Sequence, residues 1–343
     1  MRTALLGFPQ AGKKTLFSLL TGRDVPPGRK VGEAVEGAAP VRDPRVDKLA
    51  ELCRPEEVTY AENRFVLCPD VPWQVSSREW LEAARKCDLI CLVLRAFESD
   101  VVFHPAGSVD ARRDREALEG ELLLADMAMI ETRLSRIDKE NKAGRSPERQ
   151  REEQALRKAM AALEDGVALR DADLDQNERG ALCSLELVSV LPLLRVCNVS
   201  EDGVDADFGE RSVAVSCLIE QELTALDEAA ERREFLEALG LDRPGLDRVN
   251  AAAYDALGLM SFYTSGEDEC RAWTVAKGAT APVAGGKIHS DIQRGFIRVE
   301  VIKFDDFVAA GSERKAREDG KVQTRGKDYV IEDGDICHFL FNV

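Results

Sequence analysis

The sequence predicts an α/β protein. A mostly parallel sheet surrounds a phosphate-binding loop, an antiparallel helical hairpin interrupts it, and a small β-rich module follows. Three observations predict this. Gly7-Phe8-Pro9-Gln10-Ala11-Gly12-Lys13-Lys14-Thr15 stands between a short apolar strand and a helix start. Continuous apolar runs recur, the pattern of strands covered on both faces. The texture then changes twice, first to heptad spacing and later to strands punctuated by glycine.

The first strand is Thr3-Ala4-Leu5-Leu6, and Leu16-Phe17-Ser18-Leu19-Leu20 lies in a helix from residue 13 to about residue 21. A strand near Arg64–Cys68, a helix over Glu79–Lys86 and a strand over Leu89–Leu94 follow. Two more buried strands, Leu193–Cys197 and Val213–Val215, come only after a long interval. Inside that interval Leu123, Met127, Ile130, Leu134 and Ile137 form a heptad seam. Gly144-Arg145-Ser146-Pro147 breaks it, and Leu156, Ala159 or Met160, Leu163 and Val167 continue a second amphipathic helix. This reads as an inserted, protruding hairpin, or as two ordinary packed helices of a larger domain. After Phe262, strands are expected at Arg271–Val275, Phe296–Ile302, Asp328–Ile331 and Cys337–Asn342, with a helix at Asp305–Ala310.

The loop fits the Walker A pattern at Gly7, Gly12 and Lys13. Backbone N–H groups at such a helix start form an anion nest. Lys14 stands where a Ser or Thr hydroxyl normally holds Mg²⁺. The phosphate cradle is retained in outline and the metal ligand is not.

At 343 residues the chain is long enough for two or three domains. It has no apolar run that would span a bilayer, so no membrane partner is expected. Met1-Arg2 leads straight into the first strand, which leaves no room for a signal peptide and points to a cytoplasmic protein. The nine cysteines form no Cys-x-x-Cys pair and read as reduced, buried thiols. His104, His289 and His338 are far apart in sequence, so no metal site is expected. The net charge of −16 repels free nucleic acid, and no free-DNA binding is expected. The acidity lies in the first 270 residues and the remainder is nearly neutral.

Several stretches resemble one family, the YchF or Obg-like ATPases of the TRAFAC GTPase class. Arg271-Ala272-Trp273-Thr274-Val275, Thr280-Ala281-Pro282, Gly285-Gly286-Lys287-Ile288-His289, Gly295-Phe296-Ile297-Arg298 and Gly326-Lys327-Asp328-Tyr329 are similar to its C-terminal TGS domain, a β-grasp-like fold. So are Asp333-Gly334-Asp335-Ile336-Cys337-His338-Phe339 and Phe341-Asn342-Val343. Asp43-Pro44-Arg45-Val46-Asp47-Lys48-Leu49-Ala50, Arg95-Ala96-Phe97-Glu98 and the helical insertion also fit. The resemblance implies a P-loop G-like domain over 1–107 and 190–261, a helical (coiled-coil) insertion over 108–189 and a TGS domain over 262–343. Asn198-Val199-Ser200-Glu201 is similar to the family's base-reading motif, with Ser216 as the neighbouring base-loop residue. A polar strand-to-loop turn is the other reading of those residues. GTPases place an aspartate where Glu201 stands, and the family's glutamate implies that adenine is accepted.

The resemblance therefore implies nucleotide binding, ATP or GTP with ATP preferred, by Gly7, Gln10, Ala11, Gly12, Lys13, Lys14, Thr15, Asn198, Glu201 and Ser216. Thr15 keeps the family's α-phosphate position. It also implies a ribosome or RNA partner for the TGS domain and hairpin.

The departures from the family share one theme. Lys14 replaces the P-loop hydroxyl. No Ser or Thr lies between Thr21 and Thr59 to serve as the first-switch ligand. Alignment on Phe65-Val66 puts Leu67 on the Asp-x-x-Gly aspartate and Asp70 on its glycine. Pro72–Arg78 replaces the glycine-rich second switch. Mg²⁺ supplies much of the charge stabilisation in phosphoryl transfer. Its missing ligands argue against Mg²⁺ and imply weak or absent hydrolysis. Asp70 reads as a displaced metal ligand or as a turn cap. His104 reads as a catalytic candidate facing the nucleotide or as a hydrogen-bonded loop residue. Two functions follow: a translation-associated nucleotide-binding protein, or a pseudo-NTPase scaffold with an empty site. In the second, Lys14 would fill the phosphate site or pair with a carboxylate such as Asp70.

Overall fold

The computed structural model describes residues 1–25, 33–74, 78–142 and 146–342. Residues 26–32 of the first-switch interval, Val75–Ser77 of the second switch, Gly144 and Arg145 of the hairpin break, and Val343 lie outside the described residues.

In chain order the first elements are β1 (Arg2–Leu6), α1 (Lys13–Thr21), β2 (Val35–Val41), α2 (Pro44–Cys53), β3 (Glu57–Thr59), β4 (Ala61–Leu67) and β5 (Leu89–Ala96). The middle of the chain forms α3 (Ala111–Asn141), α4 (Pro147–Glu164), α5 (Gln176–Leu182), β6 (Leu193–Val199), β7 (Ser212–Val215), α6 (Cys217–Ala225), α7 (Ala229–Ala238) and α8 (Gly245–Ala256). The last part forms β8 (Leu259–Ser265), β9 (Glu269–Ala276), α9 (Ala281–Ile288), α10 (Ser290–Arg294), β10 (Phe296–Ile302), α11 (Phe304–Ala310), α12 (Glu313–Glu318), β11 (Gln323–Arg325) and β12 (Ile336–Phe341). The chain divides into two compact units, residues 1–37 with 64–253 and residues 38–63 with 254–343.

The first unit is organised by a six-stranded sheet of order β2-β4-β1-β5-β6-β7. β1 pairs parallel with β4 and β5, β5 with β6, and β6 with β7. The central strand β5 is covered on both faces, and Leu89–Leu94 is apolar and buried at every position. Parallel order puts the carboxyl ends of β1, β5 and β6 on one edge, where α/β folds bind ligands. Leu118, Leu122 and Ala125 of α3 pack into the core formed with these strands. Farther along, Ile130 and Ile137 pack with Leu156, Ala159 and Leu163 of α4 in a separate cluster. One helix thus serves two cores, and of the heptad seam Ile130 and Ile137 are fully buried in the second. α4 stops at Glu164, so Val167 does not continue it and is exposed.

The predicted helix over Glu79–Lys86 is two short 3₁₀ turns, Glu79–Leu81 and Ala84–Lys86. Each is closed by i→i+3 bonds such as Glu82 N–H to the Glu79 carbonyl at 3.1 Å, too short a run to propagate an α-helix.

The second unit holds a mixed sheet of order β11-β10-β12-β8-β9-β3. β8 and β9 pair antiparallel, while β8 with β12 and β3 with β9 pair parallel. Asp328–Ile331 is not a strand. Only Val330 bridges, to Thr280, and β11 lies earlier in the chain. Asp43 caps α2 by accepting from Arg45 N–H at 3.0 Å. The Arg45 guanidinium forks between Asp43 and Asp333, and the Tyr263 hydroxyl donates to Asp43 at 2.5 Å.

Burial opposes ionisation of Asp43, but the hydrogen bonds from Arg45 and Tyr263 outweigh it and hold its carboxyl below the usual range. A depressed carboxylate pKa gives stability that is present above the unfolded pKa, about 3.9, and lost as pH falls through the folded value. Asp43→Asn should therefore lower stability at neutral pH by about 1–3 kcal/mol and flatten the decline below about pH 4. Thermal unfolding of both proteins across acid and neutral pH measures this, and an unchanged acid limb would contradict it.

Among the described residues no helix is long and apolar enough to cross a membrane, and the cysteines there are free thiols.

Candidate functional site

The site lies at the carboxyl edge of the first unit's sheet. β1 ends at Leu6, and the chain turns through Gly7–Gly12 into α1. Gln10 and Gly12 both have positive φ, at 63° and 91°. Ala11 N–H closes the turn on the Phe8 carbonyl at 3.4 Å. No side chain caps α1, so its amino end presents backbone N–H groups. Gly7 and Gly12 are required by close approach. A Cβ on Gly7 would lie 2.4 Å from the Val93 carbonyl oxygen, and one on Gly12 would lie 2.2 Å from Asn198 Nδ2.

Asn198, near the end of β6, is buried. Its Nδ2 donates to the Ala11 carbonyl at 3.2 Å, and its Oδ1 accepts from Cys217 N–H at 3.1 Å. One side chain thus ties the phosphate loop to the start of α6. Ser216 caps that helix, its hydroxyl accepting from Ile219 N–H at 3.4 Å. Glu201 is exposed on the short 3₁₀ turn Glu201–Gly203 that follows β6.

These residues border a cavity of about 560 Å³ whose walls include Gly12, Thr15, Phe97, Asn198, Glu201 and Leu218. That volume is in the range of small-molecule sites. Ser216 also reaches the wall, so the predicted base residues and part of the phosphate loop meet at one cavity. Phe97 and Leu218 add apolar surface to this wall, and sequence reasoning named neither among the site residues. Phe97 was readable as the residue just past a buried strand. Nothing in the sequence singled out Leu218.

The Lys13 side chain is buried and turned toward the chain itself. Its Nζ donates to the carbonyls of Gly7 at 3.1 Å, Pro69 at 3.2 Å and Cys68 at 3.5 Å. It also lies 2.7 Å from Asp70 Oδ1. Burial lowers the Lys13 pKa, against the pull of Asp70. One of the two roles open to Lys14 in the scaffold reading, pairing with a carboxylate such as Asp70, is corrected here. Lys14 is exposed on the first turn of α1, and Lys13 takes the carboxylate. The physical reason is direction: successive helical residues point about 100° apart, and only Lys13 turns inward.

Leu67, aligned with the family's metal-binding aspartate, is a fully buried core residue of β4. Two of the family's metal positions thus carry an ammonium, that of Lys14, and an isobutyl group, that of Leu67, and these do not suit Mg²⁺.

His104 is also buried. Its Nε2 lies 2.8 Å from Asp114 Oδ2, and its Nδ1 accepts from Ala106 N–H at 3.1 Å. Both ring nitrogens are engaged within the chain. Trp73 stacks edge-on to this ring at 6.1 Å and packs against Phe8 of the loop at 4.6 Å.

Comparisons with known proteins agree with this fold. The family model YchF-GTPase_C, described as "Protein of unknown function (DUF933)", matches residues 259–342. The "Ribosome-binding ATPase YchF" of Escherichia coli O157:H7 is 36% identical over 362 residues, which cover 100% of this chain and 99% of that one. The Bacillus subtilis (strain 168) protein of the same name is 36% identical over 366 residues, covering 100% of both. Among solved structures, the "Structure of the Schizosaccharomyces pombe YchF GTPase" matches with a TM-score of 0.85 and 28% identity, over 99% of this chain and 97% of that chain. Full-length similarity at this level, together with the G-domain-like phosphate loop and parallel sheet, means that the chain belongs to the YchF, or Obg-like, family.

Proposed function

We propose that this protein binds purine nucleotides as a YchF-type protein, prefers ATP to GTP, associates with the ribosome or the translation machinery in the cytoplasm, and hydrolyses nucleotide weakly or not at all. The observation that carries the nucleotide reading is Asn198, which joins the phosphate loop and the start of α6 across the cavity that Glu201 borders. In this reading Gly7, Gln10, Ala11, Gly12, Lys13, Lys14 and Thr15 attend the phosphates, and Asn198, Glu201 and Ser216 attend the base.

The ribosome part rests on the printed names of the relatives. We assign it to the TGS domain over 262–343 and the helical insertion over 108–189, attached to a G-like domain over 1–107 and 190–261. The net charge of −16 speaks against free DNA as a partner. The donor set at Lys14 and Leu67 argues against Mg²⁺ and against efficient Mg²⁺-dependent hydrolysis. We treat His104 as a structural residue, because Asp114 and Ala106 hold its ring.

A second reading, a pseudo-NTPase scaffold with an empty nucleotide site, is favoured by one observation: Lys13 already has an anionic partner.

Calorimetric titration with ATP and GTP, each in EDTA and in excess Mg²⁺, separates the readings. The expected result is binding that Mg²⁺ changes by less than tenfold, which is about 1.4 kcal/mol. A larger tightening would reveal a ligand set other than the one considered. No binding of either nucleotide would leave the scaffold reading. Co-sedimentation with ribosomes tests the partner.

A further inference from the structure

We infer that Asp70 is a resident anion in the phosphate site, and that it makes this site select nucleoside diphosphates over triphosphates. The inference rests on the nucleotide-binding reading above.

In a phosphate-binding loop the lysine ammonium serves the β and γ phosphate oxygens. Here that ammonium has three N–H donors and four acceptors within reach: the carbonyls of Gly7, Cys68 and Pro69, and the Asp70 carboxylate, which is closest at 2.7 Å. A terminal phosphate must displace the carboxylate to reach it. If the carboxylate stays nearby, the phosphate meets like charge at the short distance set by their common partner, Lys13 Nζ.

Asp70 is held there by the chain around it. Cys68 N–H donates to the Leu5 carbonyl at 3.2 Å, and Val71 N–H donates to the Gly7 carbonyl at 3.1 Å. The segment on either side of Asp70 is therefore stitched to β1 and to the phosphate loop. Trp73 on Phe8 fixes it again farther along. A segment anchored at these points returns the carboxylate to Lys13 whenever it leaves.

The rest of the cradle does not depend on Lys13. The amino end of α1 and the Thr15 side of the cavity face α- and β-phosphates without disturbing the ion pair. A β-phosphate has the backbone N–H groups of the loop as well as the lysine and gives up one contact when Asp70 holds Lys13, whereas a γ-phosphate depends chiefly on that ammonium and must compete with Asp70 for it. The Asp70 side chain is 42% exposed, so its substitution removes the charge without opening a hole in the core.

The test is calorimetry on the full chain in EDTA, with ADP, ATP, GDP and GTP as probes. Wild type, Asp70→Asn and Asp70→Ser are compared, with melting curves to show that each is folded. The wild type is expected to bind the diphosphate of the better base at least tenfold more tightly than its triphosphate. Both variants are expected to bring the two within threefold of each other, through a gain in triphosphate affinity. A wild type that binds triphosphate as tightly as diphosphate would overturn the inference. So would variants whose diphosphate-to-triphosphate ratio stays within twofold of the wild-type ratio. Failure of all three proteins to bind any of the four probes would instead overturn the nucleotide-binding reading, and this inference would fall with it.

Discussion

Replacing Gly12 with alanine should abolish nucleotide binding at millimolar ligand and lower stability by about 2–4 kcal/mol. Two independent costs converge. Gly12 has φ of 91°, a conformation that strains any residue with a Cβ. The new methyl would also sit 2.2 Å from Asn198 Nδ2. Asn198 cannot swing away cheaply. It is buried, and its amide is committed to the Ala11 carbonyl on one side and Cys217 N–H on the other. Moving it orphans two buried backbone groups, at about 1–3 kcal/mol each. The lowest-energy response is a shift of the loop, which destroys the anion nest. Denaturant unfolding and nucleotide titration report the two effects. A variant with the wild-type midpoint and affinity would mean that the loop is far more compliant than its hydrogen bonds indicate.

Asp126→Ala should be the most destabilising polar substitution in α3, at about 3–5 kcal/mol. Asp126 is fully buried midway along the helix. Its carboxylate accepts from Val188 N–H at 3.1 Å and Ser189 N–H at 2.7 Å, and Arg85 lies 3.6 Å away. Alanine leaves both amides unsatisfied and removes the counter-charge from a guanidinium that is itself mostly buried. Asp126→Asn preserves the volume and one acceptor, so its cost should be about half. Urea denaturation of both variants checks the order, and a loss under about 1 kcal/mol for alanine would contradict it.

The sheet was legible because parallel strands covered on both faces must be apolar at every position. Leu89–Leu94 announces itself in that way, and Thr3–Leu6 and Leu193–Cys197 do so with one polar residue each, Thr3 and Arg195. β2 did not, because Val35–Val41 is only half-buried and carries Gly37 and Pro40, which mask the strand pattern. The glycine-lysine loop was legible from spacing, and the meeting of Asn198 with Gly12 gives that spacing its steric reason. The partner of Lys13 was not legible. A Pro-Asp turn looks the same in sequence whether its carboxylate caps a backbone or faces an ammonium fifty-odd residues away, and only folding brings the two together. Likewise, nothing in the composition of residues 38–63 marked them as part of the C-terminal unit. Their strand β3 is three residues long, and its partner β9 lies near the other end of the chain.

That pairing of Glu57–Thr59 with Glu269–Arg271 has a kinetic consequence. A chain emerging from its amino end exposes the first half of this unit early and the second half last. Joining them closes a loop of roughly two hundred residues, an entropic cost that no local contact repays in advance. In the interval α2 and β3 have no sheet to join, while the strands β1, β4 and β5 can already pair with one another. Synthesis therefore imposes an order, with the phosphate-loop unit consolidating first and the C-terminal unit closing over its waiting amino-terminal piece only when β9 arrives. A ribosome stalled before residue 269 would carry a protein whose second core had not yet formed.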